Sequence, residues 1–465
     1  MGLRRLAGSI AGKVAIAALR RVGRAATTAP GRVVLGLDPD FIGSVTGDAR
    51  RVRTAVTGTN GKTTTAALME SCMRASGWSV VRNSSGANML PGIASALVER
   101  VTAAGRIDVD AVVAEVDEAT VPGLVRAMAV DVFVVTNFFR DQLDRYGEMD
   151  RTVAYVRRGL ENFGGSTCLN ADDPLVADLA PSVKADSTVF FGIDPLVDDD
   201  EGTDVELAAG VDTQFCPRCG GRFVYTHRVY GHLGDYHCPD CGWSRPRRHV
   251  VGRELPGKGT GVALEISFAR GESIEVNLAI PGIYNAYNAV AAAAGAHASG
   301  VGLDDIRVGL EGFSGAFGRM EVLDIGGREL VLALSKNPVG FDQILGAVVS
   351  DDEAAAVVLG INDGHADGRD ISWLWDVDFE MLCKRPDIRV SCAGSRAEDM
   401  AVRLKYGGIP AEGLRVEGDL ASSVDAALEG VVEGRRVYAL LTYTALLQLR
   451  SGLQRRGLVR EMWRG

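Results

Sequence analysis

Residues 57–65 have the residue types and the spacing of a phosphate-binding loop. They read Thr-Gly-Thr-Asn-Gly-Lys-Thr-Thr-Thr. A glycine turn between a strand and a helix directs backbone N–H groups and the positive end of the helix dipole at an anion. Lys62 adds a charge for the β- and γ-phosphates of a nucleotide, and the Thr63 hydroxyl can bind Mg²⁺. Val56 stands where the full G-x-x-x-x-G-K-[ST] pattern has glycine, so the loop is a shortened variant. A chance match to the Gly-Lys-Thr part is the alternative.

Four cysteines form two C-x-x-C pairs, Cys216 with Cys219 and Cys238 with Cys241, and a glycine follows each pair. Two thiolates from each turn complete the tetrahedral coordination of Zn²⁺ and leave no position open, which is typical of a structural zinc ribbon. A pair of disulfides is the alternative. A four-cysteine site needs no histidine, so we expect the three histidines of this segment to be solvated: His227, His232 and His237.

A run of acidic residues follows a strand predicted over residues 355–361. Loops at the carboxyl ends of strands are where α/β sheets bind ligands. Some of these acids must be helix caps or solvated charges, and the sequence does not rank them. They are Asp363, Asp367, Asp370, Asp376, Asp378 and Glu380.

Alternating strands and helices must position these residues. The strands predicted over 110–115 and 130–136 are continuous apolar runs, which favours a parallel sheet covered on both faces. Helices are predicted over 125–129, 152–160 and 281–300. The predicted fold class is therefore α/β. Further strands are predicted over 261–268, 329–335, 355–361, 388–393 and 436–441.

We predict three segments along the chain. Residues 1–45 form a basic N-terminal segment, and residues 46–320 form an ATP-binding domain. The cysteine module, residues 213–246, is inserted into that domain. Residues 321–465 form a second α/β domain.

Composition excludes several classes of function. The net charge of −10 and the aromatic content of 6% argue against nucleic-acid binding, which needs a basic groove with stacking aromatic side chains. No apolar run reaches the ~18–20 residues of a membrane span. The remaining cysteines are scattered in apolar contexts, as core thiols are. We therefore predict a reducing compartment and a cytoplasmic protein.

Only basic charged residues precede Asp38, and apolar residues separate them. Such a segment could lie on the anionic inner face of a membrane. A packed or frayed helix is the alternative. Lys13 interrupts the apolar stretch that a cleaved signal peptide would need.

The landmarks of the chain, in their order, resemble the central domain of the Mur ligase family. They are residues 57–65, 83–88, 115, 136–147, 169–174, 282–289 and 318–321. The inserted cysteine module, together with residues 335–338 and 367–373, narrows the resemblance to subunits of that family that amidate a peptidoglycan precursor. The resemblance implies a Mur ligase central domain with a P-loop, and a second, C-terminal α/β domain.

The resemblance also implies ATP and Mg²⁺ as cofactors beside the Zn²⁺ predicted above. Glu115 matches an acid that approaches a second Mg²⁺, and Thr63 matches the residue that holds the first. Asp370 would orient the histidine of a partner glutaminase as the third member of its triad; a structural cap or a metal contact is the alternative. Lys336 matches a lysine that reaches the phosphates of ATP; a solvated lysine is the alternative. The implied ATP contacts are Thr59, Asn60, Gly61, Lys62, Thr63, Thr64, Asn285, Arg319 and Lys336.

Three features depart from the family's pattern. Gln142 replaces the usual histidine, which leaves the Mg²⁺ coordination there open. Leu334 stands where some ligases hold an acid near the nucleotide, which leaves the ribose contact open. The N-terminal segment is too short for the separate UDP-binding domain of these ligases, so a lipid-linked precursor fits better than a soluble one.

The implied reaction is ATP-dependent amidation of the α-carboxylate of D-glutamate in the lipid II stem peptide, through an acyl phosphate. Ammonia would come from a partner glutaminase subunit, because this chain offers no glutaminase nucleophile. Val390 stands where the nucleophile-elbow motif around Cys392 would need glycine, so Cys392 is interpreted as a core thiol. One alternative is an amino-acid ligase of the folylpolyglutamate synthase type, against which the cysteine module and residues 367–373 argue. The other is a zinc-ribbon NTPase that binds nucleic acid, against which the net charge argues.

Overall fold

The computed structural model describes residues 3–21, 27–83, 87–102, 104–140, 149–161, 163–183, 187–194, 213–256, 261–313, 319–335, 337–364, 367–410 and 413–459. The chain divides into two compact units. The first contains Met1–Phe139 and Met149–Ser314, and the second contains Arg140–Glu148 and Gly315–Gly465.

The first unit contains helices and strands that mostly alternate along the chain. Its helices are α1 (Leu3–Arg21), α2 (Ala29–Leu37), α3 (Phe41–Thr46), α4 (Lys62–Ala75), α5 (Leu90–Arg100), α6 (Val121–Ala127), α7 (Met149–Leu160), α8 (Pro174–Ala177), α9 (Ile283–Ala298) and α10 (Leu303–Glu311). Its strands are β1 (Val52–Thr57), β2 (Val80–Arg82), β3 (Ala111–Glu115), β4 (Val132–Val135), β5 (Ser166–Asn170), β6 (Thr188–Asp194), β7 (Val224–Tyr230), β8 (Leu233–His237), β9 (Val250–Leu255), β10 (Val262–Phe268) and β11 (Ser273–Leu278). Short 3₁₀ turns lie at Glu118–Thr120 and Ala180–Ser182.

In the main sheet of the first unit, β1 lies between two parallel neighbours, β3 and β4. Within the described residues, the strand order is β11-β10-β9-β6-β5-β4-β1-β3-β2. The strands from β2 across to β9 pair in parallel, and β10 and β11 extend the sheet in antiparallel fashion. Every residue of β3 is buried, as expected for a parallel strand covered on both faces. The loop that follows β1 therefore opens at the edge where α/β sheets bind ligands.

The N-terminal helices pack into this unit. Ile16, Val34 and Phe41 belong to the same apolar core as the sheet. Gly31 allows α2 to contact α5, because a Cβ there would lie 1.8 Å from the Pro91 carbonyl oxygen. No helix of the described residues is both long and apolar enough to cross a bilayer.

The second unit is a six-stranded sheet within the described residues, with strand order β12-β13-β17-β14-β15-β16. All neighbours are parallel except β12 and β13. Apolar cores lie on both faces of the sheet. The elements are β12 (Arg319–Asp324), β13 (Glu329–Leu334), α11 (Pro338–Ser350), β14 (Ala354–Gly360), β15 (Arg389–Ala393), α12 (Ala397–Tyr406), β16 (Leu414–Glu417), α13 (Leu420–Glu429), β17 (Arg436–Leu441) and α14 (Tyr443–Arg455), with 3₁₀ turns at Ser372–Asp376 and Phe379–Lys384.

The predicted α/β fold, with a parallel sheet and a second α/β domain, is confirmed. One predicted helix begins and ends too far along the chain. The helix predicted over 125–129 spans Val121–Ala127 instead, with proline in its first turn and an extended residue, Met128, at its end. Proline fits the first turn of a helix because the N–H that it lacks has no partner there.

Candidate nucleotide-binding and metal-binding sites

The loop between β1 and α4 requires glycine at two positions. Gly58 has φ +122° and Gly61 has φ +84°, angles that residues with a side chain rarely adopt. A Cβ at Gly58 would lie 2.2 Å from Thr136 Oγ1, and a Cβ at Gly61 would lie 2.0 Å from Asn288 Oδ1. The loop therefore fits closely against the residues after β4 and against α9.

The segment after β4 holds the loop through hydrogen bonds. The Thr59 N–H donates to the Asn137 carbonyl oxygen at 2.8 Å, and the Asn60 N–H donates to Asn137 Oδ1 at 2.9 Å. The Phe139 N–H donates to Thr59 Oγ1 at 3.1 Å. The side chain and backbone of Asn137, together with the backbone of Phe139, thus fix the loop's conformation.

Lys62 is the first residue of α4, and its ammonium group points back into the loop. Its Nζ donates to the carbonyl oxygens of Gly58 at 2.5 Å and of Thr59 at 3.3 Å. It also pairs with Glu118 Oε1 at 3.0 Å, and each side chain is only 9% exposed. A buried ammonium needs such a partner, because removal from water is costly for an unpaired charge.

The role of Glu118 was not predicted from the sequence. Its partner lies 56 positions earlier in the chain, so only the fold brings the two charges together. The one local signal is its place just after β3, beside the predicted ligand Glu115.

Thr63 and Glu115 form a second polar pair at the loop. The Thr63 hydroxyl donates to Glu115 Oε1 at 2.9 Å. Among the described residues, the buried Glu115 Oε2 has no hydrogen-bond partner. Asn83 fixes this part of β3, accepting from the Glu115 N–H at 2.8 Å and donating to its carbonyl oxygen at 2.9 Å. A hydroxyl beside a carboxylate oxygen that lacks a partner fits the oxygen ligands that Mg²⁺ prefers.

One asparagine of α9, Asn288, borders the loop, and a second, Asn285, is hydrogen-bonded to it. Asn285 donates to the Pro281 carbonyl oxygen at 2.7 Å and accepts from Asn288 Nδ2 at 3.2 Å. Gly61 packs against Asn288. The predicted ATP contact Asn285 is therefore linked to the loop through Asn288.

The predicted contact Thr64 is buried in the first turn of α4.

The four predicted zinc ligands lie together. Their ligand atoms are all within 4.8 Å of one another. The sulfur atoms of Cys216 and Cys241 lie 3.8 Å apart, and those of Cys219 and Cys238 lie 3.4 Å apart. These separations are far longer than a disulfide bond, and all four thiols are free. Hydrogen bonding from the Cys241 N–H lowers the pKa of Cys238 to about 7, whereas burial raises the pKa of Cys216. The thiolate is the form that binds metals.

The expectation that His232 is solvated is wrong. Its side chain is 0% exposed, and its Nε2 lies 3.3 Å from Asp173 Oδ2. Its ring lies 4.6 Å from that of Phe139. The turn between β7 and β8 folds onto the segment after β4, which no local pattern indicates. His237 is exposed and His227 is half-buried.

In the second unit, Asp370 lies exposed on the loop after β14. Its Oδ1 accepts from the Ser372 N–H at 2.8 Å, and this hydrogen bond lowers the pKa of the carboxyl group. Asp367 is different, since it is buried and accepts from the Thr444 N–H at 2.7 Å. Asp370 is therefore an ionised carboxylate held at the surface, whereas Asp367 holds its own loop in place.

The side chains of three positions singled out from the sequence are not described by the structure. Arg319 begins β12 and pairs with Ala333, but its side chain lies outside the description. Lys336 and Gln142 lie outside the described residues.

Family comparisons define the class of protein. A family model described as the Mur ligase middle domain matches residues 56–232, and one described as MurT ligase C-terminal matches residues 334–446. A solved pseudomurein peptide ligase type C from Methanothermus fervidus is 22% identical, with a TM-score of 0.66 over 88% of this chain and 79% of its own. The chain therefore has the Mur ligase fold.

Two relatives match nearly the whole chain. The subunit MurT of lipid II isoglutaminyl synthase (glutamine-hydrolyzing) from Streptococcus pneumoniae is 34% identical over 468 residues, 99% of each chain. The protein of the same name from Staphylococcus aureus (strain COL) is 31% identical over 443 residues, 95% of this chain and 96% of its own. The chain belongs to the MurT family, and it is a ligase subunit of the Mur ligase class.

Proposed function

We propose that this chain is the ATP-dependent ligase subunit of an enzyme that converts the D-glutamate of the lipid II stem peptide to D-isoglutamine. The observation that carries this proposal is the loop of Lys62 and Thr63 facing Glu115, in a chain that matches MurT relatives end to end. The names of those relatives favour amidation. They argue against the alternative, in which the chain would add an amino acid as a folylpolyglutamate synthase does.

Carboxylate activation is the first proposed step. A carboxylate oxygen of D-glutamate attacks the γ-phosphorus of ATP, and ADP leaves, which gives an acyl phosphate. Lys62 would leave Glu118 to follow the transferred phosphoryl group, since a compact ammonium suits that role. Bound Mg²⁺ would neutralise phosphate charge, with Thr63 as a protein ligand of one ion and Glu115 approaching a second.

Amide formation is the second step. The nitrogen of ammonia attacks the acyl carbon, phosphate leaves with its bridging oxygen, and the nitrogen loses a proton. The first unit is the proposed nucleotide domain, and the second is the proposed C-terminal ligase domain. The proposed ATP contacts remain Thr59, Asn60, Gly61, Lys62, Thr63, Thr64, Asn285, Arg319 and Lys336.

A partner glutaminase of the GatD type is the proposed ammonia source. Asp370 would orient its histidine, and an ionised, exposed carboxylate suits that role. Exposed aromatic side chains of the second unit support a partner surface: Trp375 lies five residues after Asp370, and Tyr406 packs against it. Trp375 is 55% exposed and Tyr406 is 76% exposed, with ring centroids 5.7 Å apart. Exposed aromatic side chains are enriched at protein interfaces.

The cysteine cluster is proposed to bind one structural Zn²⁺. Its four sulfur atoms supply every ligand of a tetrahedral ion, and the aromatic core beside it is small. Zinc would therefore stabilise the module rather than take part in the reaction.

The outer face of α1 is proposed to contact the inner face of the membrane, where a lipid-linked substrate lies. Ile10 and Val14, one turn apart, are 55% and 63% exposed. The exposed bases Arg4, Lys13 and Arg21 share this helix. Apolar and basic side chains together favour an anionic bilayer surface.

Replacing Lys62 by alanine is expected to reduce amidation at least about a hundredfold with either glutamine or ammonium, as loss of one transition-state charge contact does. The measurement is the rate of phosphate release by the complex with its glutaminase. The exposed Lys384→Ala is the control. Because Lys62→Ala also removes the buried ion pair with Glu118, the double variant Lys62→Ala/Glu118→Gln separates activity from stability. Wild-type rates in both variants would exclude the loop as the ATP site.

Replacing Asp370 by asparagine is expected to lower glutamine-dependent amidation at least about a hundredfold, because the partner's histidine loses its orienting charge. Amidation with ammonium chloride should be unchanged. Asp376→Asn, exposed in the same segment, is the control and should leave both rates unchanged. Equal losses with the two nitrogen sources would instead assign Asp370 to the ligase site.

Replacing Cys216 by serine is expected to remove the bound metal and lower the thermal midpoint, because the small module depends on its metal. Elemental analysis of the wild-type chain should give about one zinc ion per chain. Cys383→Ser, outside the cluster, should retain it. A wild-type chain without zinc would contradict the assignment.

Vesicle sedimentation tests the membrane contact. The full chain should sediment with phosphatidylglycerol vesicles and not with phosphatidylcholine vesicles. The double variant Ile10→Gln/Val14→Gln should lose this binding, whereas Val308→Gln, exposed on α10, should keep it. Equal binding by all three proteins would rule out the α1 surface.

A further inference from the structure

The hairpin of the cysteine module ends in a tip, residues 230–233, that packs against Phe139. The Tyr230 ring stacks on the Phe139 ring with centroids 5.7 Å apart, and the His232 ring contacts it from another angle. Gly231 has φ +56°, and a Cβ there would lie 2.7 Å from Phe139 Cε1. Three consecutive residues of the tip therefore surround one aromatic ring.

The same hairpin is bonded to the residues after β5. The Gly234 N–H donates to the Asp172 carbonyl oxygen at 2.9 Å, and the Tyr236 hydroxyl donates to the Ala171 carbonyl oxygen at 3.1 Å. His232 Nε2 lies 3.3 Å from Asp173 Oδ2, and both side chains are fully buried. The tip is thus fixed on two sides.

The residues that the tip contacts are those that hold the phosphate-binding loop. Asp173 Oδ2 accepts from the Phe138 N–H at 2.7 Å. The neighbouring Phe139 bonds Thr59 twice, because its N–H donates to Thr59 Oγ1 and its carbonyl oxygen accepts from the same hydroxyl at 3.2 Å. Two residues, Phe138 and Phe139, therefore link the tip of the hairpin to the phosphate-binding loop.

The other end of the hairpin is the cysteine cluster. Cys238 follows the last residue of β8 directly. A five-residue strand spans ~17 Å, so the cluster is remote from the tip while one continuous strand joins them. The core beside the cluster is small, which makes the hairpin's geometry dependent on the metal site.

We propose that the cysteine module is a brace for the phosphate-binding loop, with Gly231 and His232 as positioning residues that act through Phe139 on Thr59. The proposal rests on the proposed nucleotide-binding function of that loop. It gives the inserted module a role in the reaction without contact with substrate. It also predicts that damage at the tip weakens nucleotide binding while the metal stays bound.

The test compares Gly231→Ala with Gly271→Ala in the full chain. Both glycines have positive φ, +56° and +84°, but a Cβ at Gly271 has nothing within 4 Å. Gly231→Ala is expected to raise the dissociation constant of Mg·AMP-PNP about tenfold or more, as a small misplacement of a binding loop does. Gly271→Ala should bind like the wild type. Zinc content should be equal in all three proteins.

Kinetics of the complex with its glutaminase separate positioning from general destabilisation. Gly231→Ala should raise the KM for ATP while kcat at saturating ATP stays near the wild-type value. Amide hydrogen exchange should speed up at Thr59 and Phe139 and stay unchanged in β10 and β11. A lower thermal midpoint with an unchanged KM would overturn the proposal.

Two further variants serve if Gly231→Ala does not fold. His232→Ala should weaken Mg·AMP-PNP binding, and His232→Phe, which keeps a ring against Phe139, should restore part of it. Wild-type affinity for Mg·AMP-PNP in Gly231→Ala, or in both His232 variants, would overturn the proposed bracing role and leave the proposed function standing. A wild-type chain that binds no Mg·AMP-PNP would overturn the proposed function itself.

Discussion

The hydrogen bonds between the loop that joins β1 to α4, the proposed phosphate-binding loop, and the segment after β4 are the interaction on which the rest of the site depends. A loop that binds phosphate must keep backbone N–H groups turned outward, and its conformation needs support from elsewhere. Here Asn137 and Phe139 supply that support to Thr59 and Asn60. The glycines at 58 and 61 allow the close approach. The ion pair of Lys62 with Glu118 and the hydrogen-bonded pair of Thr63 with Glu115 are both built on this frame.

The support extends outward from the loop in layers. Asp173 fixes Phe138 and also accepts from the Leu175 N–H at 2.8 Å at the start of α8. The hairpin of the cysteine module closes over Phe139 from the other side. An inserted module can thus belong to the site's architecture although its cysteine cluster is remote. A buried histidine beside a buried aspartate is a costly arrangement, and its presence marks where the module joins the domain.

Local patterns made the loop, the cysteine pairs and most strands predictable. The glycines, lysine and threonines of the loop are contiguous, and each cysteine pair lies within one turn, so no tertiary information is needed. His232 shows the limit of such reasoning. A histidine after glycine at a hairpin tip suggests solvent exposure, and its burial depends on Phe139, far away in the chain. The site contacts of Glu118 and Asn288 were not predicted for the same reason, since only the parallel sheet and α9 bring their partners to them.

The central claim is that the chain activates a carboxylate by phosphorylating it. The most direct measurement uses lipid II labelled with ¹⁸O in both α-carboxylate oxygens of its D-glutamate, with ATP, Mg²⁺ and ammonium, and follows the label by mass spectrometry. The account predicts that each amide formed transfers one labelled oxygen to inorganic phosphate, because the bridging oxygen leaves with phosphate when ammonia attacks. Phosphate free of label, with amide formed, would contradict it.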